Sequence, residues 1–147
     1  MMTGLAKNQR GLGALFLGVF WLWIVFLILG YSNFVAEALN MRSSFLKATL
    51  IAVKAAARSI NEQVAQSGGN AQINLGKARQ AADTYFQLNL PPVFKQTGAT
   101  AEIESIQIIN QTTVELTTSA SVPVVTPLGK LTVPFKTTQR AGLKVFQ

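Results

Sequence analysis

Apolar and polar positions divide this chain into three regimes. From Gly11 to Ala36 there is no Asp, Glu, Lys or Arg. Leu12 to Tyr31 reads LGALFLGVFWLWIVFLILGY, with thirteen Leu, Ile, Val or Phe among its 20 residues. As a helix it would extend roughly 30 Å, the thickness of a bilayer's hydrocarbon core. Each large aliphatic or Phe residue near the centre favours insertion by roughly 0.3–0.6 kcal/mol, with no charge to oppose it. The pattern predicts a transmembrane helix over 11–36, anchored by Leu12, Leu15, Phe16, Leu17, Phe20, Trp21, Trp23, Phe26 and Leu29.

The second regime runs from Leu39 to Gln66 without proline or glycine, and Ala, Leu, Lys and Arg dominate it. Such composition favours helix. Leu46, Leu50, Val53, Ala57, Ile60 and Val64 alternate at four and three residues, which places them on one narrow packing seam. Ser67-Gly68-Gly69-Asn70 then supplies helix breakers. A second helix is expected from about Asn74 to Leu88, with Ala78, Ala81, Ala82, Tyr85 and Phe86 on one face; Pro91-Pro92 prevents its continuation.

The third regime, about 99–146, alternates. Ala101, Ile103, Ile106 and Ile108 slip once near Ser105, as a bulge would require. Val114, Leu116, Thr118, Ala120, Val122 and Val124 alternate without a slip, and the four residues Asn110 to Thr113 are read as a hairpin turn before them. Thr126-Pro127-Leu128-Gly129 makes another turn, followed by Leu131, Val133 and Phe135, with Leu143 and Val145 as a short last strand. The expected fold is α+β: an N-terminal transmembrane helix continues into an amphipathic helix packed on a small antiparallel sheet of three to four strands. Residues 1–10 would be a cytoplasmic leader and 37–147 an extracytoplasmic domain.

Composition changes this picture little. The 147 residues suffice for one domain beside an anchor. Their net charge of +7 is carried by Lys7 and Arg10, by Arg42, Lys47, Lys54 and Arg58, and thinly thereafter. That distribution suits anionic headgroups beside a span, not the dense basic stripe with interleaved aromatics of a nucleic-acid binder. Lys7 and Arg10 before the span and Glu37 after it favour a cytoplasmic N-terminus. Ala36-Glu37-Ala38 fits a signal-peptidase pattern, but the apolar run exceeds a signal peptide's core, which favours an uncleaved anchor.

Chemistry-bearing residues are scarce. There is no Cys or His, and the carboxylates stand apart at Glu37, Glu62, Asp83, Glu102, Glu104 and Glu115. No cofactor or metal site is expected. Ser43 and Lys47, beside Ser44, share a helix face at i, i+4, the one nucleophilic arrangement left; on a basic juxtamembrane helix it is read as surface polarity, and no catalysis is expected. Two readings remain: an anchored component of an assembly, or a tethered module holding a ligand or peptide outside the membrane.

The order of features is similar to that of the TadE/TadG-like proteins of bacterial tight-adherence (Flp-type) pilus machines, and more loosely to pilin-like proteins. The local matches are Gln9-Arg10-Gly11 before the apolar run, Lys54-Ala55-Ala56-Ala57, Ala78 and Ala82 with Asn89 after them, and the strand from Val114 to Val124 ahead of Pro127-Leu128-Gly129. Processed members of that family carry Glu five residues after a cleavage-site Gly. Here Gly11 is followed at that distance by Phe16 and Gly13 by Gly18, so the resemblance implies an uncleaved, TadG-like accessory role. It also implies a bacterial inner-membrane location, a periplasmic or extracellular domain, and membrane lipid, other envelope or pilus-assembly proteins and copies of the chain as partners.

Overall fold

The computed structural model describes residues 3–59, 72–96, 98–126 and 129–143, with side chains from residue 11 onward except at 95 and 96. Helix α1, Thr3–Ala57, is unbroken over 55 residues, which corresponds to a rod of roughly 80 Å. Helix α2 is Leu75–Asn89 and helix α3 the short Pro92–Gln96. Strands β1 (Thr100–Asn110), β2 (Thr113–Thr126) and β3 (Gly129–Gly142) form an antiparallel sheet in the order β1-β2-β3. The architecture is α+β, with the C-terminal third of α1 packed on β2 and β3 and α2 packed along α1 beside β1.

The last turn of α1 tightens, with Arg58 and Ser59 N–H groups donating to the carbonyls of Ala55 and Ala56. Ser59 then accepts a hydrogen bond from the Asn74 N–H, which ties the end of α1 to the start of α2. The described helix therefore stops at Ala57, short of the expected Gln66; Ile60 and Val64 of the expected seam lie outside the described residues. Asn74 caps α2 by accepting from the Lys77 N–H at 3.0 Å, and the Leu90 N–H closes its other end on the Phe86 carbonyl. Pro91 and Pro92 then block a further turn of the same helix.

The buried face of α1 consists of Met41, Phe45, Ala48, Thr49, Ala52, Val53, Ala56 and Ala57. It shares Val53 and Ala57 with the expected seam but is rotated from the line through Leu46 and Leu50. Leu46 is half-buried and Leu50 is 38 % exposed. The reason is steric: Ala48, Ala52 and Ala56 let neighbouring elements approach the helix axis, and Leu46 and Leu50 are left on the flank. On α2, Ala78, Ala82 and Phe86 are buried, Ala81 is half-buried and Tyr85 is exposed.

Strand β2 is the centre of the sheet and alternates strictly. Val114, Leu116, Thr118, Ala120, Val122 and Val124 are buried, while the residues between them face outward. The β1–β2 register shifts between Ile103 and Ser105, which places a bulge at Glu104. The hairpin turn falls on the expected four residues, with Asn110 paired to Thr113 and Gln111 and Thr112 between them. Pairing with β1 stops at Thr100↔Ser121, two residues before Pro123, whose missing N–H could not serve that ladder. Pairing with β3 continues to Thr126↔Gly129, where Gly129 has φ +128, a conformation that disfavours side chains.

Strand β3 runs unbroken to Gly142, and of the expected short last strand at Leu143 and Val145, residues 144–147 lie outside the described residues. The polar stretch Lys136 to Arg140 pairs with Ser119 to Glu115 because an edge strand exposed on one face does not need apolar alternation.

Four phenylalanines join the elements. Phe45 of α1 meets Phe86 of α2 edge-on at 6.0 Å, stacks on Phe94 of α3 at 6.3 Å and lies 6.5 Å from Phe135 of β3. Beside them sits one buried polar pair. Thr49 donates its hydroxyl proton to the Phe45 carbonyl at 3.0 Å, and its oxygen stands 2.8 Å from that of Thr118. With its own proton so used, Thr49 accepts from Thr118, and one hydrogen bond fixes the axial register of α1 on β2.

Candidate functional site

The largest surface feature is the apolar length of α1 itself. All nine expected anchor residues are exposed, from 55 % at Leu12 and Leu29 to 73 % at Phe16. A Cβ placed on Gly11, Gly13 or Gly18 would meet no atom, so no part of the domain folds back on this stretch. Contiguous apolar surface on this scale is not left to water by a stable chain. The helix is long and apolar enough to cross a membrane, as a membrane anchor or a signal sequence does.

The same helix delivers its next residues straight into the domain. Phe34 is half-buried against the core, Met41 is buried and Phe45 is its centre. Between the apolar stretch and the domain there is no break in the backbone hydrogen bonding of α1. Where the stretch tilts, the domain must tilt with it.

Above residue 31 an exposed apolar strip persists on α1. Val35 and Leu39 line one open hollow with Ile28 and Tyr31, and Leu39, Leu46 and Leu50 line a second with Arg42, Lys47 and Gln139. The strip therefore runs from the membrane-competent stretch along the flank of the domain, with cationic side chains beside it. Ser43 and Lys47 stand one turn apart on that flank, both exposed, and Ser44 is half-buried. Among the described residues, no group of three or more Asp or Glu converges to hold a metal.

The opposite surface, the outer face of the sheet, is polar. Lys136 of β3 reaches across β2 to the Glu104 bulge, Arg140 pairs with Glu115, and Thr117 and Thr138 are hydrogen-bonded at 3.0 Å. The hydrogen bond from Lys136, with a lesser one from Ser119, holds the Glu104 carboxyl below its ordinary pKa. Both sheet edges are interrupted. The bulge at Glu104 breaks the β1 ladder, and Pro134 in the middle of β3 removes a donor from the outer edge. Such edges resist strand addition, which leaves the flank of α1 as the surface suited to packing.

Sequence reasoning located the apolar stretch but missed Phe45, Thr49 and helix α3. Their common feature is long-range: Phe45 meets residues from three other elements, and the Thr49 partner is 69 positions away. A strand alternation that places Thr118 among valines was the only available hint of a buried polar partner. No family model, curated protein or solved structure matches this chain.

Proposed function

We propose that this protein is a membrane-anchored, pilin-like accessory component of a bacterial pilus or secretion assembly, acting by protein–protein packing. In this reading residues 11–36 span the inner membrane, the N-terminus is cytoplasmic, and the domain stands in the periplasmic or extracellular space. One observation carries it: a single unbroken helix holds both an uncovered apolar stretch and the centre of the domain's core. Such a rod fixes the orientation of every copy relative to the membrane, and the strip from Ile28 and Tyr31 through Leu39, Leu46 and Leu50 offers neighbours a packing surface in both environments. The hollows along it are open to solvent, which suits a packed partner better than an enclosed small ligand.

The absence of native cysteine makes the test clean. Leu39→Cys and Leu50→Cys variants, treated in intact cells with a short bifunctional thiol and amine cross-linker, are expected to capture envelope proteins or second copies. Thr117→Cys on the outer sheet face serves as the comparison. A chain that stays monomeric from every position, and after mild detergent extraction, would contradict the proposal.

A further inference from the structure

The domain carries a second apolar feature at the end nearest the apolar stretch. Helix α2 runs antiparallel to α1 from the Ser59 end back toward residue 45, where Phe86 meets Phe45. The chain then turns at Pro91-Pro92 into α3. Pro91 and Val93 line one hollow that follows α1 from Asn33 through Ala36 and Glu37 to Ser44, so this corner begins beside the last residues of the uncharged stretch and continues past them. From Leu88 to Val93 the sequence is Leu-Asn-Leu-Pro-Pro-Val, without a charge. Leu88 is 74 % and Val93 37 % exposed.

The lengths place this corner relative to lipid. The 26 residues Gly11 to Ala36 would extend roughly 39 Å as a helix, against a hydrocarbon core of roughly 30 Å. Centred on the bilayer, each end projects about 4–5 Å beyond the core, within a headgroup layer of roughly 5–7 Å per leaflet. Ala36 then sits among headgroups, and Pro91 and Val93 face α1 from that level upward.

We propose that the α2–α3 corner, Pro91 to Val93, is a second membrane contact that rests in the headgroup and upper acyl boundary and sets the tilt of the domain. The inference rests on residues 11–36 being the membrane span. Its occupant is lipid because the corner lies level with the end of the apolar stretch, where lipid is the nearest neighbour. Its own lack of charge makes the contact apolar, so it is insensitive to salt and to anionic lipid.

The full chain is reconstituted at one copy per nanodisc of zwitterionic lipid, with the environment-sensitive dye NBD on a single cysteine. Val93→Cys is compared with Leu22→Cys in mid-span and with the exposed Lys54→Cys roughly 27 Å along the helix from Ala36. The Val93→Cys label is expected to emit to the blue of the Lys54→Cys label. It should be quenched by shallow nitroxide lipid, equally at low and high salt, while the Leu22→Cys label is quenched by deep nitroxide lipid. If the Val93→Cys label emits like the Lys54→Cys label while the Leu22→Cys label reports lipid, the corner contact is wrong and the span stands. If Leu22→Cys also reports water, the span itself fails and the corner with it. A blue shift that vanishes in high salt, or that appears only with several copies per disc, also overturns the proposal, in favour of charge attraction or contact between copies.

Discussion

The Thr49–Thr118 pair allows a sharp test of how α1 is locked to the sheet. Both hydroxyls are fully buried, and the bonding is directional: Thr118 donates to Thr49, which donates to the Phe45 carbonyl. The two deletions should therefore differ. Thr49→Val strands the Thr118 hydroxyl in an apolar interior and removes the bond to Phe45, a loss of about 1–3 kcal/mol. Thr118→Val leaves Thr49 with its bond to Phe45 and forfeits one net hydrogen bond, about 0.5–1.5 kcal/mol. The double variant removes both partners and should cost less than the sum, with a coupling of about 1 kcal/mol. Urea unfolding of the full chain in nanodiscs, followed by far-UV circular dichroism, reads all four corners of the cycle, with an unchanged slope confirming that only stability moved. A larger loss for Thr118→Val than for Thr49→Val, or strict additivity, would refute the assigned direction of the bond.

Further outcomes follow from the same packing. Phe45→Ala should destabilise the domain by about 3–5 kcal/mol in the same unfolding assay, since it removes the ring shared by three others. Leu50→Ala, on the flank, should stay within about 1 kcal/mol yet weaken cross-linking to neighbours. The Glu104–Lys136 contact should make stability acid-sensitive. Because the Glu104 pKa is depressed in the folded chain, its contribution is complete above the ordinary carboxylate value and is lost as pH falls through the depressed one. The urea midpoint of Glu104→Gln should accordingly fall less on acidification than that of the parent, and equal slopes would contradict this.

What could be read from the sequence depended on how local the signal was. The apolar stretch is legible because its hydropathy sums over neighbouring residues, and a charge-free run from Gly11 to Ala36 needs no tertiary context. Strand β2 is legible for a similar reason: one buried face imposes alternation from Val114 to Val124. The slip at Ser105 disclosed the bulge because a shift of one residue exchanges the faces of the strand. The helical seam was legible only in part, at Val53 and Ala57, because size alone does not fix which face is buried. Leu46 and Leu50 are the larger residues, whereas Ala48, Ala52 and Ala56 are the ones that allow close approach. The polar half of β3 gave no periodic signal because hydrogen bonds to β2 define it, and the cluster around Phe45 depends on contacts that no local window spans.

The claim beneath all of these is that residues 11–36 of α1 lie in lipid and rise from it without a break into the domain. Single cysteines at Leu15, Leu22, Leu29 and Lys54, introduced into the otherwise cysteine-free chain, test it directly with a membrane-impermeant maleimide on intact cells stripped of their outer layer. Protection is expected at the first three positions, with labelling at Lys54→Cys and full-length protein retained in the membrane pellet after alkaline washing. Labelling at Leu22→Cys, or a soluble chain lacking its first 38 residues, would contradict it.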